Sequence, residues 1–167
     1  DLFREHPRLA RTIRAEIDEL PLRGRVILTG HRADVPRLIA AMDLLVVGSI
    51  GIDDVETPQA ARRGLLGGSA VYFSVAASIF TKVHLVSVVG RDFPAEHRAV
   101  LEAHGVDLAG LEAADGATFR WTGRYHANLL DRDTLKTELN VFGCFDPKVP
   151  APARRLEYVF LANGAPA

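Results

Sequence analysis

The sequence predicts an α/β fold: a Rossmann-like parallel sheet with flanking helices, carrying a small antiparallel β unit. Three observations predict it. Short apolar runs rich in β-branched residues, such as Leu44–Ile50 and Val83–Val89, alternate with stretches of helical periodicity. A diglycine, Gly67-Gly68, stands directly before one of those helical stretches. Beyond residue 117 the pattern changes to alternation of apolar and polar residues, the mark of strands with one wet face.

The elements follow in order. Over residues 6–20, Leu9, Ile13, Ile17 and Leu20 recur at helical spacing, and Pro7 suits a first turn. Arg25–Thr29 has a buried-strand pattern closed by Gly30, and Val35, Leu38, Ile39 and Met42 mark one face of a short second helix. Leu44–Ile50 is a strand, followed by a Gly/Ser turn with the acidic pair Asp53 and Asp54. From Ser69, the spacing of Val71, Val75 and Ile79 predicts a helix. Val83–Val89 is the next strand, and the helix Pro94–His104 stops at Gly105, where an αL cap is expected. Thr118–His126 sets Phe119, Trp121 and Tyr125 on one face and Arg120, Thr122, Arg124 and His126 on the other. Leu135–Phe145 alternates likewise, and the polar loop Ala127–Thr134 joins the two as a hairpin. Tyr158–Ala162 is again a fully apolar strand.

Bulk properties exclude several classes. With 167 residues, one domain of ordinary size is the default. A net charge of −1 gives no electrostatic case for nucleic acid or anionic lipid. No apolar run approaches the roughly 20 residues that span a bilayer, and the N-terminus has no signal-peptide layout. The single cysteine, Cys144, cannot form an internal disulfide, which fits a reducing compartment and a cytoplasmic location. The six histidines show no metal spacing, and no HExxH, CxxC, GxSxG or P-loop occurs. No metal site and no catalytic nucleophile is therefore expected.

The order of motifs over residues 42–93 carries a resemblance. An apolar strand runs into GSIGIDD, a diglycine opens a helix, and a second strand runs into Gly90-Arg91-Asp92-Phe93. This order resembles the N-terminal half of the ribokinase-like (PfkB) carbohydrate kinases. The resemblance implies ATP-dependent phosphoryl transfer, with Mg²⁺, to a hydroxyl of a sugar or nucleoside. It implies a truncated ribokinase-like domain over residues 42–167, with a β lid over about 117–146 that closes on the sugar and often pairs two subunits. It also implies a catalytic Gly-Ala-Gly-Asp-like segment further along, and none occurs in residues 1–167. No catalytic or ATP-binding residue is assigned, and the chain as given is expected to be inactive.

By that resemblance Asp53 accepts hydrogen bonds from sugar hydroxyls; the alternative is an ordinary turn or capping residue. Gly67 and Gly68 let a ligand approach the backbone, with free N–H groups at the following helix N-terminus. Many family members carry a sugar-binding Asn four positions after the second Gly; Tyr72 stands there, which points to a larger or aromatic-stacked substrate. The Gly90–Phe93 segment reads as structural. Arg120, Trp121, Arg124, Tyr125, Glu138 and Asn140 fall in the lid, either over the sugar or at a subunit contact. Arg124 and, at the end of a sheet strand, Asn163 complete the candidate contacts.

Residues 1–47 resemble a different family. Thr29-Gly30, Val35-Pro36 and Ala41-Met42-Asp43 are similar to the C-terminal domain of retaining GT-B glycosyltransferases, but Gly48-Ser49-Ile50 departs from its pattern. Residues 1–41 are then a glycosyltransferase-like βα fragment, either joined to the kinase-like part at Met42 by splicing or assembly, or a genuine fusion. The chain opens without methionine and ends on LANGAPA just after a strand, so a piece of a longer protein is expected. A glycosyltransferase remnant and a non-catalytic sugar-binding or dimerisation module are the alternatives.

Overall fold

The computed structural model describes residues 43–162, together with Arg11, Ala15, Ala33 and Asp34. The chain divides into two compact units, Asp1–Pro36 and Arg37–Ala167, and the strands and helices of residues 44–161 all lie in the second. The helices expected over 6–20 and 35–42, the strand over 25–29, and Asn163 lie outside the described residues, although Arg11 and Ala15 are helical.

Four parallel strands form the main sheet. They are β1 (Leu44–Val47), β4 (Val83–Gly90), β5 (Asp107–Ala114) and β8 (Tyr158–Leu161), in the order β5-β4-β1-β8. β1 and β4 are buried almost throughout, as β-branched runs in a parallel sheet must be. Helix α1 (Ser69–Ser78) and helix α2 (Ala95–Ala103) bring Ala70, Val71, Ala77 and Leu101 into the core with Val46, Val83, Leu85 and Val89. Phe73 of α1 stacks on Phe160 of β8 at 3.5 Å between ring centroids. The buried stripe of α1 runs through Ala70, Val71, Ser74 and Ala77, while Ile79, expected on it, is 74% exposed. Small residues let the helix sit close to the sheet, so the bulky Ile79 is left beyond the last turn. Gly105 closes α2 with φ +68, as expected.

A second four-stranded sheet stands beyond the C-terminal end of the first. It contains β2 (Gly51–Glu56), β3 (Ala61–Gly67), β6 (Phe119–Tyr125) and β7 (Arg132–Glu138), in the order β3-β2-β6-β7. The sequence pattern predicts only a hairpin at residues 118–145 and leaves residues 51–67 as a turn. The sheet is also mixed rather than antiparallel, because its central pair, β2 and β6, is parallel. Both strands leave the same edge of the main sheet, after β1 and β5, and so run the same way. β7 ends at Glu138 instead of continuing to Phe145; Asn140 has φ +48 and opens a 3₁₀ turn over Asn140–Cys144. β5, unassigned in the sequence, has its apolar residues Leu108 and Leu111 separated by Ala109 and Gly110 and flanked by Asp107 and Glu112, so it carries no apolar run.

Candidate functional site

Register places the residues of interest on one face of the second sheet. Asp53 of β2 lies beside Trp121 of β6, and Gly51 beside Phe119. Side chains alternate along a strand, so Asp53 shares its face with Phe119, Trp121, Gly123 and Tyr125. Gly123 has no room for a Cβ because the indole of Trp121 lies across it. The ring is fixed by Nε1 donating to Thr134 Oγ1 at 3.2 Å, and the Arg132 guanidinium sits 6.0 Å from its centroid. An aromatic surface therefore adjoins the carboxylate.

Asp53 itself is half-buried. Its carboxylate lies against the Cα of Gly67, which leaves no space for a side chain there. Its buried Oδ1 has no hydrogen-bond partner among the described residues. Burial, and secondly the neighbouring Asp54 carboxylate, push its pKa up to about 6. Asp54 points the other way and accepts from the N–H of Gly64 at 2.8 Å, in the bulge that β3 makes at φ +66. On α1, the Tyr72 ring is 64% exposed while its hydroxyl donates to the Leu66 carbonyl at 3.4 Å. Burial of that hydroxyl, then Asp53 and then Tyr125, raise the phenol pKa, so Tyr72 looks onto the same surface.

Other expectations fall differently. The N–H groups at the start of α1 are already used: Ser69 donates to Ser49 Oγ at 3.3 Å, and Ala70 to the Ser49 carbonyl at 3.1 Å. The helix N-terminus expected to face a ligand is thus capped by the chain itself. Gly68, at φ +100, passes too close to Ser49 and Ile50 for any side chain. Arg124 lies on the opposite face of the sheet from Asp53, with its Nε 2.8 Å from Glu56 Oε2. Trp121 and Tyr125, read from the sequence as lid residues either over the sugar or at a subunit contact, lie on β6 and share a face with Asp53. The signal that finds them is their in-phase spacing with Phe119.

No protein-family model matches the chain. A cytidine kinase of Thermococcus kodakarensis is 33% identical over 86 residues, which is 51% of this chain and 31% of that protein. The structure of a Methanocaldococcus jannaschii nucleoside kinase, an archaeal member of the ribokinase family, superposes with a TM-score of 0.55. That match has 17% identity and covers 74% of this chain and 46% of the other. A ribokinase from Cryptococcus neoformans var. grubii, in complex with ADP, gives a TM-score of 0.54 at 20% identity, covering 67% and 37%. The chain has the ribokinase-like fold. The matched stretch spans about a third of its curated relative, and less than half of either solved chain. The ribokinase-like resemblance therefore stands. The glycosyltransferase resemblance of residues 1–47 finds no support in these comparisons.

Proposed function

We propose that this chain is the acceptor-holding part of an ATP-dependent kinase that phosphorylates a hydroxyl of a sugar or nucleoside. One observation carries the reading: a half-buried carboxylate with an unpartnered oxygen, Asp53, at the edge of an aromatic surface. An ionised carboxylate has acceptor sites on both oxygens and suits two neighbouring hydroxyls, which would restore the hydrogen bonding that Oδ1 lacks. Gly67 gives the carboxylate its position, and Tyr72, Trp121 and Tyr125 flank the acceptor. The names of the similar proteins, a cytidine kinase, a nucleoside kinase and a ribokinase, favour the same class of acceptor.

The donor is assigned no residue. Among the described residues no group of three or more His, Cys, Asp or Glu could hold a metal ion. Residues 1–167 contain no Gly-Ala-Gly-Asp-like segment. Mg²⁺ is therefore assigned no residue either, and no transfer step is routed through the described residues. We expect the chain as given to bind acceptor without turning it over, in a cytoplasmic setting that the lone Cys144 suits. A second reading, a homodimer through the lid, rests on the exposed outer strands β3 and β7; light scattering on the purified chain tests it.

Calorimetric titration with ribose and with cytidine, on wild type and Asp53→Asn, tests the main reading. Saturable heat that is lost in Asp53→Asn supports it. Equal heats in both proteins overturn it, and turnover in a coupled ATPase assay overturns the inactivity.

A further inference from the structure

Outside the acceptor surface, the densest polar cluster of the described residues lies where the lid joins the main sheet. Asp92, two residues past the end of β4, is its centre. Asp92 Oδ1 accepts from the Thr118 N–H at 2.7 Å and from the Thr118 hydroxyl at 2.8 Å. Asp92 Oδ2 lies 2.8 Å from Arg120 Nη2. The Thr118 hydroxyl in turn accepts from the Gly90 N–H at 3.0 Å, and its carbonyl accepts from Asn140 Nδ2 at 2.9 Å. Thr118 is completely buried, and all its polar atoms are engaged. Gly90 packs against the backbone of Gly116, Ala117 and Thr118 so tightly that no other residue fits. The end of β4, the start of β6 and the exit from β7 thus meet in one knot.

The lid is joined to the main sheet by four chain crossings, at residues 48–50, 67–68, 115–118 and 139–140. The first two are tied together by neutral bonds from Ser69 and Ala70 to Ser49. Of the other two, residues 115–118 are tied to the turn after β4 by Asp92 and by the Arg91–Asp115 ion pair, and residues 139–140 are tied to Thr118 by Asn140. Of these ties, only that of Asp92 reaches a charged side chain on a lid strand, Arg120. Trp121 lies three residues beyond Thr118, about 10 Å along the strand. A turn of about 10° at the knot would therefore carry the Trp121 end of the sheet by roughly 2 Å. Displacements of that size decide whether an acceptor is held in a productive pose.

We propose that Asp92 is a positioning residue: through Thr118 and Arg120 it sets the angle of the lid, and so the placement of Asp53, Trp121 and Tyr125 over Tyr72. This rests on the acceptor-binding reading for its consequence, though not for its geometry. It gives Gly90–Phe93, read from the sequence as a structural turn, a part in ligand binding at a distance.

Trp121 is the only tryptophan of the chain, so its fluorescence reports on the lid alone. The experiment compares wild type with Asp92→Asn and Arg120→Gln, all first shown by circular dichroism to be folded at the working temperature. Acrylamide quenching of Trp121, without ligand, should rise at least twofold in Asp92→Asn and less in Arg120→Gln, which keeps the Thr118 bonds. Cytidine affinity should fall about tenfold in Asp92→Asn. A merely structural Asp92 would lower the melting temperature and leave quenching of the folded protein unchanged; that result overturns the proposal. If Asp92→Asn does not fold, Arg120→Gln decides by the same quenching measurement. If quenching changes but no protein binds cytidine, the lid geometry stands and the acceptor-binding reading fails.

Discussion

The carboxylate of Asp53 lies against the Cα of Gly67, the residue diagonally opposite on β3, and occupies the space where a side chain would start. The two residues are one device. Gly67→Ala should push the carboxylate off its seat or displace β3. The expected cost is about 1–3 kcal/mol of stability, as for other overpacked sites. Ribose and cytidine affinity should fall in parallel, and thermal melting with calorimetry on the same samples checks both.

Asp53 also sets a pH dependence, and its sign follows from the shift. Its carboxyl has a folded pKa of about 6, above the ordinary 3.8, so the folded state holds the proton more tightly than the unfolded chain. The stability this contributes is full below about pH 4 and is lost as pH rises through about 6. Asp53→Asn should therefore be the more stable protein at about pH 7.5, by on the order of 1 kcal/mol once solvent screening of the half-exposed group is allowed for. The advantage should vanish near pH 4. Acceptor binding by wild type should run the opposite way, strengthening as the carboxylate ionises through about pH 6. Melting curves and titrations between about pH 4 and pH 8 check both trends.

Trp121 should separate nucleosides from plain sugars. Its indole is held flat by Gly123 and by the bond to Thr134, beside the carboxylate that would take the hydroxyls. Base–aromatic stacking is worth about 1–3 kcal/mol. Trp121→Leu should then weaken cytidine binding about tenfold or more and leave ribose binding within about threefold. Quenching of Trp121 emission by cytidine and not by ribose would show the same contact directly. Equal losses for the two ligands would place the base elsewhere.

The parts of the fold legible in the sequence are those that hydrophobicity alone determines. Val83–Val89 is an apolar run because the interior of a parallel sheet buries it. Tyr158–Leu161 is legible as an apolar run although it is an edge strand with Tyr158, Val159 and Leu161 exposed, and α1, α2 and Gly105 follow from periodicity and capping. β2 and β3 escape that reading because GIDDVE and ARRGLLG carry charges toward solvent and hold a bulge, so neither shows clean alternation. At the candidate site, Asp53 and the diglycine stand out as residue types. What they touch does not: that Gly67 makes room for Asp53, and that Ser49 caps α1, are contacts 14 and 20 residues apart in sequence. Arg124 is drawn to Glu56 across β2 and β6, a pairing that depends on a parallel register that a hairpin does not contain.

The Asp92 knot carries the last prediction. Burial alone would raise its carboxyl, but hydrogen bonds from the Thr118 N–H, Arg120 and the Thr118 hydroxyl, with the Arg120 charge, hold its pKa below the ordinary value. A depressed pKa contributes stability that is present above about pH 4 and lost as pH falls through the folded value. Asp92→Asn keeps the shape but sets an amide against Arg120, and should cost about 1–2 kcal/mol near pH 7. The gap between the two proteins should close on acidification below about pH 4, as the wild-type carboxyl takes up its proton, whereas Asp53→Asn loses its advantage earlier, between about pH 6 and pH 4. The two variants thus move in opposite directions from wild type at neutral pH and converge on it in acid. Melting temperatures of all three across that range check the assignment. If Asp92→Asn stays equally destabilised down to about pH 3, neutral packing rather than the carboxylate charge holds the lid to the sheet.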